Sequence, residues 1–194
     1  VFERDVTEAD MAVLSRIDAM PFPTEVPNKP FPIAEMYHGS RLEPKGFSRA
    51  HHLFLPRPSH ALASLWRKAN SATDQSVRRM LLWFVEQAIW GMSILARYAP
   101  THYSQVNQYL NGVYYVGSQI VDVSPWYILH DAEKKSTKLQ RLRKAFSPMP
   151  SSVSGAMIQT GTCASLPVPD SSVDYIFTDP PFGENIYYAD LNFL

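Results

Sequence analysis

Apolar positions recur at helical spacing in the first half of the chain and at strand-like spacing further on. Thr7, with Asp10 three residues later, is an N-cap pattern, and Met11, Leu14 and Ile17 follow at helical spacing. This predicts a short amphipathic helix over residues 7–19. Residues 21–32 hold five prolines among twelve positions, which excludes both helix interior and central strand. An extended connection packed on a surface is expected there. Ser59 is read as the cap of a helix reaching Asn70 and burying Leu62, Leu65 and Trp66. Asp74 opens a longer helix, to about residue 98. Its middle, residues 81–85, is apolar on all sides, the mark of a central, buried helix. Trp83 and Trp90 share a face, and core is the expected role for both.

The pattern changes at residue 105. Residues 109–116 place β-rich runs around Asn111-Gly112, a hairpin signal, because the tight turn needs positive φ at both central residues. Val121, Val123, Trp126 and Ile128 continue in β-like fashion, with Pro125 marking a break or an edge. Residues 134–146 read as a basic amphipathic helix with Leu139, Leu142 and Phe146 on one side. Lys138, Arg141 and Lys144 on that helix fit either phosphate contacts or a solvated face. Residues 147–155, rich in Ser and Pro, form a linker. Beyond it the pattern is α/β. A short strand is predicted over 156–159, a turn at Thr160-Gly161-Thr162, a second strand over 173–178, and a helix over 187–194.

Composition narrows the classes. The 194 residues are 45% hydrophobic and 19% charged, the balance of a folded globular chain. Formal net charge is zero, so nucleic-acid contact would have to come from a local patch. A single cysteine, Cys163, excludes internal disulfides and a four-cysteine zinc site; it reads as a small core residue, and no metal site is expected. The first ten residues are charged where a signal peptide needs an apolar run. The longest apolar stretch, 80–95, is interrupted by Glu86, Gln87 and Ser93 and falls short of a membrane span. A cytoplasmic protein without membrane contact is the expectation. The start at Val1 and the stop inside the predicted last helix suggest a fragment of a longer protein.

One motif carries chemistry. The predicted strand 173–178 runs directly into Asp179-Pro180-Pro181-Phe182-Gly183, and ligands of open α/β sheets sit at the carboxyl ends of strands. The lone pair of an amino nitrogen on a base is delocalised into the ring, which makes it a poor nucleophile. A carboxylate at Asp179 and the carbonyl of Pro180 can accept from the amino hydrogens and favour the pyramidal, reactive nitrogen as charge develops. Two prolines fix φ, so side chain and carbonyl converge. Phe182 offers a flat face for an extruded base. Asp, Asn or Ser followed by two prolines and an aromatic arises by chance in on the order of one chain in a hundred of this length. The bland alternative is a turn after a strand.

Residues 157–194, MIQTGTCASLPVPDSSVDYIFTDPPFGENIYYADLNFL, closely resemble the motif segment of S-adenosylmethionine-dependent amino-methyltransferases of DNA. The subgroup they resemble most is the adenine-specific DNA methylases that also carry a zinc ribbon. Earlier pieces, LEPKGFSRAHHLFLPRPSHALASLW, RYAPTHYSQVNQYLNGVYYVGSQIVDVSPWYIL and RLRKAF, are similar to the segment before the motif in that subgroup. The resemblance implies a Rossmann-like sheet, S-adenosylmethionine as methyl donor, DNA as partner, and methylation of adenine N6 ahead of cytosine N4. It implies target-amine roles for Asp179, Pro180 and Phe182, with Pro181 holding the loop. Relatives often have Gly-Asp at the turn that here reads Gly161-Thr162, so these two residues are the candidates for cofactor contact, with Thr162 in place of the acid.

The expected architecture is therefore α/β: a partial Rossmann-like methyltransferase sheet at the C-terminus, preceded by a mainly helical segment with a β-hairpin. Residues 1–150 would be a helical and hairpin segment able to act as a target-recognition insertion. Residues 151–194 would begin a truncated catalytic unit. The family's glycine-rich cofactor loop and its zinc-ribbon cysteines are not found in the sequence. The chain alone is expected to be inactive and to bind S-adenosylmethionine poorly, other parts of the same full-length chain supplying the cofactor seat. The motif is shared by methyltransferases of RNA and of protein amides, and a non-catalytic nucleic-acid-binding module is the reading from another class. Oligomeric state leaves no trace in the sequence.

Overall fold

The computed structural model describes residues 4–36, 43–100, 105–106, 116–131, 136–147 and 157–180. Helix α1 spans Glu8–Asp18, as its cap pattern predicts. The Asp10 carboxylate accepts from the Thr7 amide at 2.9 Å, the Asp10 amide donates to Thr7 Oγ1 at 3.4 Å, and Arg4 donates to Asp10 Oδ1 at 2.7 Å. None of its residues is buried. Met11 and Leu14 are exposed, so the apolar stripe is only loosely covered.

The proline-rich stretch behaves as its composition dictates. It forms no helix, turns once where the Val26 amide donates to the Pro23 carbonyl at 3.3 Å, and is stitched to residues 48–50: the Phe31 amide donates to the Ser48 carbonyl at 2.9 Å and the Ala50 amide to the Lys29 carbonyl at 3.0 Å. Val26, Phe31 and Met36 enter the core. Two short 3-10 turns follow, at Glu43–Lys45 and Ala50–Leu53.

Two helices form the body. Helix α2, Pro56–Asn70, packs along helix α3, Gln75–Met92. Leu62, Ala69, Val85, Ala88 and Met92 meet Leu53, Ile94 and Leu95 in one core. Ser59 is not the cap of α2. The helix begins three residues earlier, with Pro56 in its first turn, where fixed φ suits the helix and no amide is missed. Ser59 lies inside, fully buried, its hydroxyl donating to the Leu55 carbonyl at 2.9 Å. Trp66, expected in the core, is partly exposed.

The start of α3 is the predicted one, with Asp74 Oδ1 accepting from the Val77 amide at 2.8 Å. Its end comes six residues early. Ser93 is extended, donates its hydroxyl to the Trp90 carbonyl at 2.7 Å and accepts from the Leu95 amide at 3.2 Å. The chain then leaves as strand β1, Ala96–Arg97. The apolar middle of α3 is central as expected on most sides: Val85 is buried, Leu81, Leu82 and Phe84 pack against the core, and Trp83 alone of the five is exposed. Trp90 is half-buried against the core, so the two tryptophans differ. The physical reason is position. Trp90 lies in the last turn, close to where helix α4 packs, and Trp83 lies two turns before it.

Strand β2, Gln105–Val106, pairs antiparallel with β1. The Asn111-Gly112 turn lies outside the described residues. The β-like reading of 121–128 is corrected: Pro125–Leu129 is helix α4. Ser124 Oγ accepts from the Trp126 amide at 3.3 Å, and Pro125 occupies the first turn. A cap followed by proline outweighs the alternation of apolar residues. Ile128 of α4 lies so close to Gly91 that a Cβ there would stand 2.6 Å from Ile128 Cδ1. Strand β3, His130–Asp131, pairs with β4, Ser136–Thr137, and helix α5, Lys138–Phe146, follows at once.

The predicted C-terminal sheet is overturned. The described part, 157–180, contains no helix and no strand, and the molecule is mostly helical. Ile158 is 96% exposed and Phe177 82%. β-rich composition alone does not make a strand; it needs a partner ladder and a surface to pack on. Neither 156–159 nor 173–178 finds one among the described residues, so the Rossmann-like reading does not stand.

Candidate functional site

The candidate residues occupy two kinds of structure. Asp179 and Pro180 end the described stretch 157–180, both exposed and outside any helix or strand. Pro181 and Phe182 lie outside the described residues. Gly161 and Thr162 belong to an exposed turn in which Thr162 Oγ1 accepts from the Ala164 amide at 3.2 Å. Ser172 closes a second local turn by donating to the Pro169 carbonyl at 2.6 Å, next to Ser171 at φ 60°. Cys163 is exposed, not a core residue.

S-adenosylmethionine does not fit the residues predicted to contact it. A cofactor seat needs a concave, partly apolar wall with a few fixed polar groups. Gly161 and Thr162 are exposed, and the Thr162 hydroxyl serves its own turn. No group of three or more His, Cys, Asp or Glu side chains suited to a metal occurs among the described residues.

Lys138, Arg141 and Lys144 all lie on α5, at three-residue steps that make one broad stripe. Arg141 and Lys144 are exposed and Lys138 is half-buried. Burial, and then the Arg141 charge, hold the Lys138 ammonium below the ordinary lysine pKa. Leu139 and Leu142 are half-buried beside the stripe.

Two features were missed by pattern reading. The first is a cavity of about 350 Å³ between the proline-rich segment and α2–α3, walled by Val26, Phe54, Leu62, Trp66, Val85 and Ile89. At its rim Glu25 accepts from Arg67 at 2.8 Å, and that bond holds its carboxyl below the usual range. Nothing in a proline-rich run announces a cavity wall. The second is the aromatic pair Trp126 and Tyr127, exposed on α4. Ser124-Pro125 was the signal that could have placed them on a helix. No helix among the described residues is long and apolar enough to cross a membrane. No family model, no curated protein and no solved structure matches the chain.

Proposed function

We propose that the chain belongs to a methyltransferase that moves a methyl group from S-adenosylmethionine to an exocyclic amino nitrogen of DNA, adenine N6 ahead of cytosine N4. The observation that carries this is the run Asp179-Pro180-Pro181-Phe182-Gly183. The exposure of Asp179 and Pro180 leaves that carboxylate and carbonyl accessible to a base. The chain's own part is to hold the target amine. Asp179 and the Pro180 carbonyl accept from its hydrogens, and Phe182 stacks on the ring. Gly161 and Thr162, exposed and engaged in their own turn, offer the donor no seat, so no step is assigned to it.

The test is incorporation of labelled methyl into DNA by the protein expressed from its complete reading frame. Asp179→Ala should lower the rate about a hundredfold or more, the scale on which losing one aligned transition-state partner acts. Undiminished incorporation removes Asp179 from the mechanism. Transfer to RNA or to a protein amide instead of DNA reassigns the substrate. The cofactor misfit at Gly161-Thr162 favours a second reading, a nucleic-acid-binding module without catalysis; binding of DNA with no methyl transfer would select it.

A further inference from the structure

We propose that the face built by α4, the β3–β4 ladder and α5 binds single-stranded nucleic acid, with bases stacked on Trp126 and Tyr127 and phosphates following the cations of α5. The proposal deepens the reading of DNA as partner and rests on it.

The aromatic half of the surface is held rigidly. Leu129 is 2% exposed and Ile128 sits against Gly91 of α3, so the buried side of α4 is fixed. Helical geometry then turns Trp126 and Tyr127 outward, 71% and 51% exposed. Tryptophan is highly buried on average, and here Trp126 and Tyr127 stand open side by side on a seated helix.

The ladder brings the cations to the same place. His130 pairs with Thr137, so the end of α4 and the start of α5 leave one end of the ladder side by side. Paired Cα atoms lie about 5 Å apart. Leu129 precedes His130 and Lys138 follows Thr137, and Trp126 is about 4.5 Å back along α4. Aromatic rings and the first cation of α5 are therefore within the reach of a few nucleotides.

Charge is segregated in the same direction. Of the chain's 18 basic and 18 acidic residues, four basic ones, Lys138, Arg141, Arg143 and Lys144, and one acidic one, Asp131, are among the described residues of 125–147. A neutral protein thus carries one positive segment on a negative background. Its nearest preceding carboxylate, Asp122, is already held by Arg57 at 2.7 Å. Cations beside flat exposed rings are what a single strand uses, because only unstacked bases present their faces. An anionic lipid surface would call for an open apolar helix face. On α5 Leu139 and Leu142 are half-buried, which argues against that occupant.

The test is fluorescence anisotropy of labelled oligothymidine with the whole protein and no methyl donor. Binding should weaken steadily with salt and quench tryptophan emission. Trp126→Ala should weaken it about tenfold, and Trp126→Phe should restore most of it. Lys138→Gln, Arg141→Gln and Lys144→Gln together should flatten the slope of log affinity against log salt by about 2. Unchanged thermal midpoints would show that these changes leave the fold intact. Wild-type binding by both the Trp126→Ala and the triple variant overturns the proposal. So does binding confined to duplex, or to phosphatidylserine vesicles. Failure here leaves the role of Asp179 open to its own test. Conversely, Trp126-dependent binding without methyl transfer sinks only the catalytic reading.

Discussion

Leu53 is fully buried, and its carbonyl accepts from the Ile94 amide at 2.8 Å. One residue thereby ties the 3-10 turn before α2 to the chain leaving α3. Leu53→Ala should destabilise the fold by about 2–5 kcal/mol, read from urea unfolding, because the surrounding core cannot fully collapse into the space. A loss near zero would mean that the turn is not part of the cooperative core. Two residues away, His51 Nδ1 is buried without a hydrogen-bond partner among the described residues, and the ring lies edge-on to Phe22 and His52. Burial first, then the charges of His52 and Arg49, hold its pKa below the ordinary histidine value. The folded state therefore favours the neutral ring. The stability this contributes is present above the unfolded histidine pKa and is lost as pH falls through the lowered folded value. The urea midpoint should drop between about pH 7.5 and about pH 5, and drop less in His51→Leu. Equal slopes in the two proteins would contradict this.

The helices show how much was legible and why. Where a local signal stood alone, it was read correctly. Thr7 with Asp10 placed the start of α1, and Asp74 placed the start of α3. The cap of α1 also makes a prediction. Hydrogen bonds from Arg4 and then Thr7 lower the Asp10 carboxyl far below its usual pKa. The first turn of α1 is therefore reinforced above the normal carboxylate range and should fray as pH falls toward the lowered folded value, read as faster amide exchange at Met11. Exchange that is flat with pH, once corrected for intrinsic rate, would remove the cap from the account. Where two local signals competed, the choice failed. Ser59 looked like a cap, yet Pro56 already opened α2. Alternating apolar residues at 121–128 looked like a strand, yet Ser124 and Pro125 opened α4. Burial was less legible still. The apolar middle of α3 does not state which neighbours will cover each side, and Trp83 is left exposed while Leu81, Leu82, Phe84 and Val85 meet the core.

At the scale of the whole molecule, the helices and strands of the described residues lie between Glu8 and Phe146. The α2–α3 pair carries the core, and the proline-rich segment closes over it. The amides of Ala88 and Met92 should exchange slowly, and those of 157–180 within seconds, since α3 is hydrogen-bonded and packed while the later segment has no helix or strand. Slow exchange across 173–178 would reinstate a strand there. The motif at Asp179 was visible because its chemistry needs a fixed run of residues; the sheet expected around it was not decidable from the same run, because strands depend on partners elsewhere. That leaves the assignment of the motif as the central claim. Its most direct test is mass spectrometry of nucleosides released from DNA after incubation of S-adenosylmethionine with the protein from its complete reading frame. N6-methyladenine is expected, reduced about a hundredfold or more by Asp179→Ala. No methylated base from the intact protein, or equal amounts from both proteins, would contradict it.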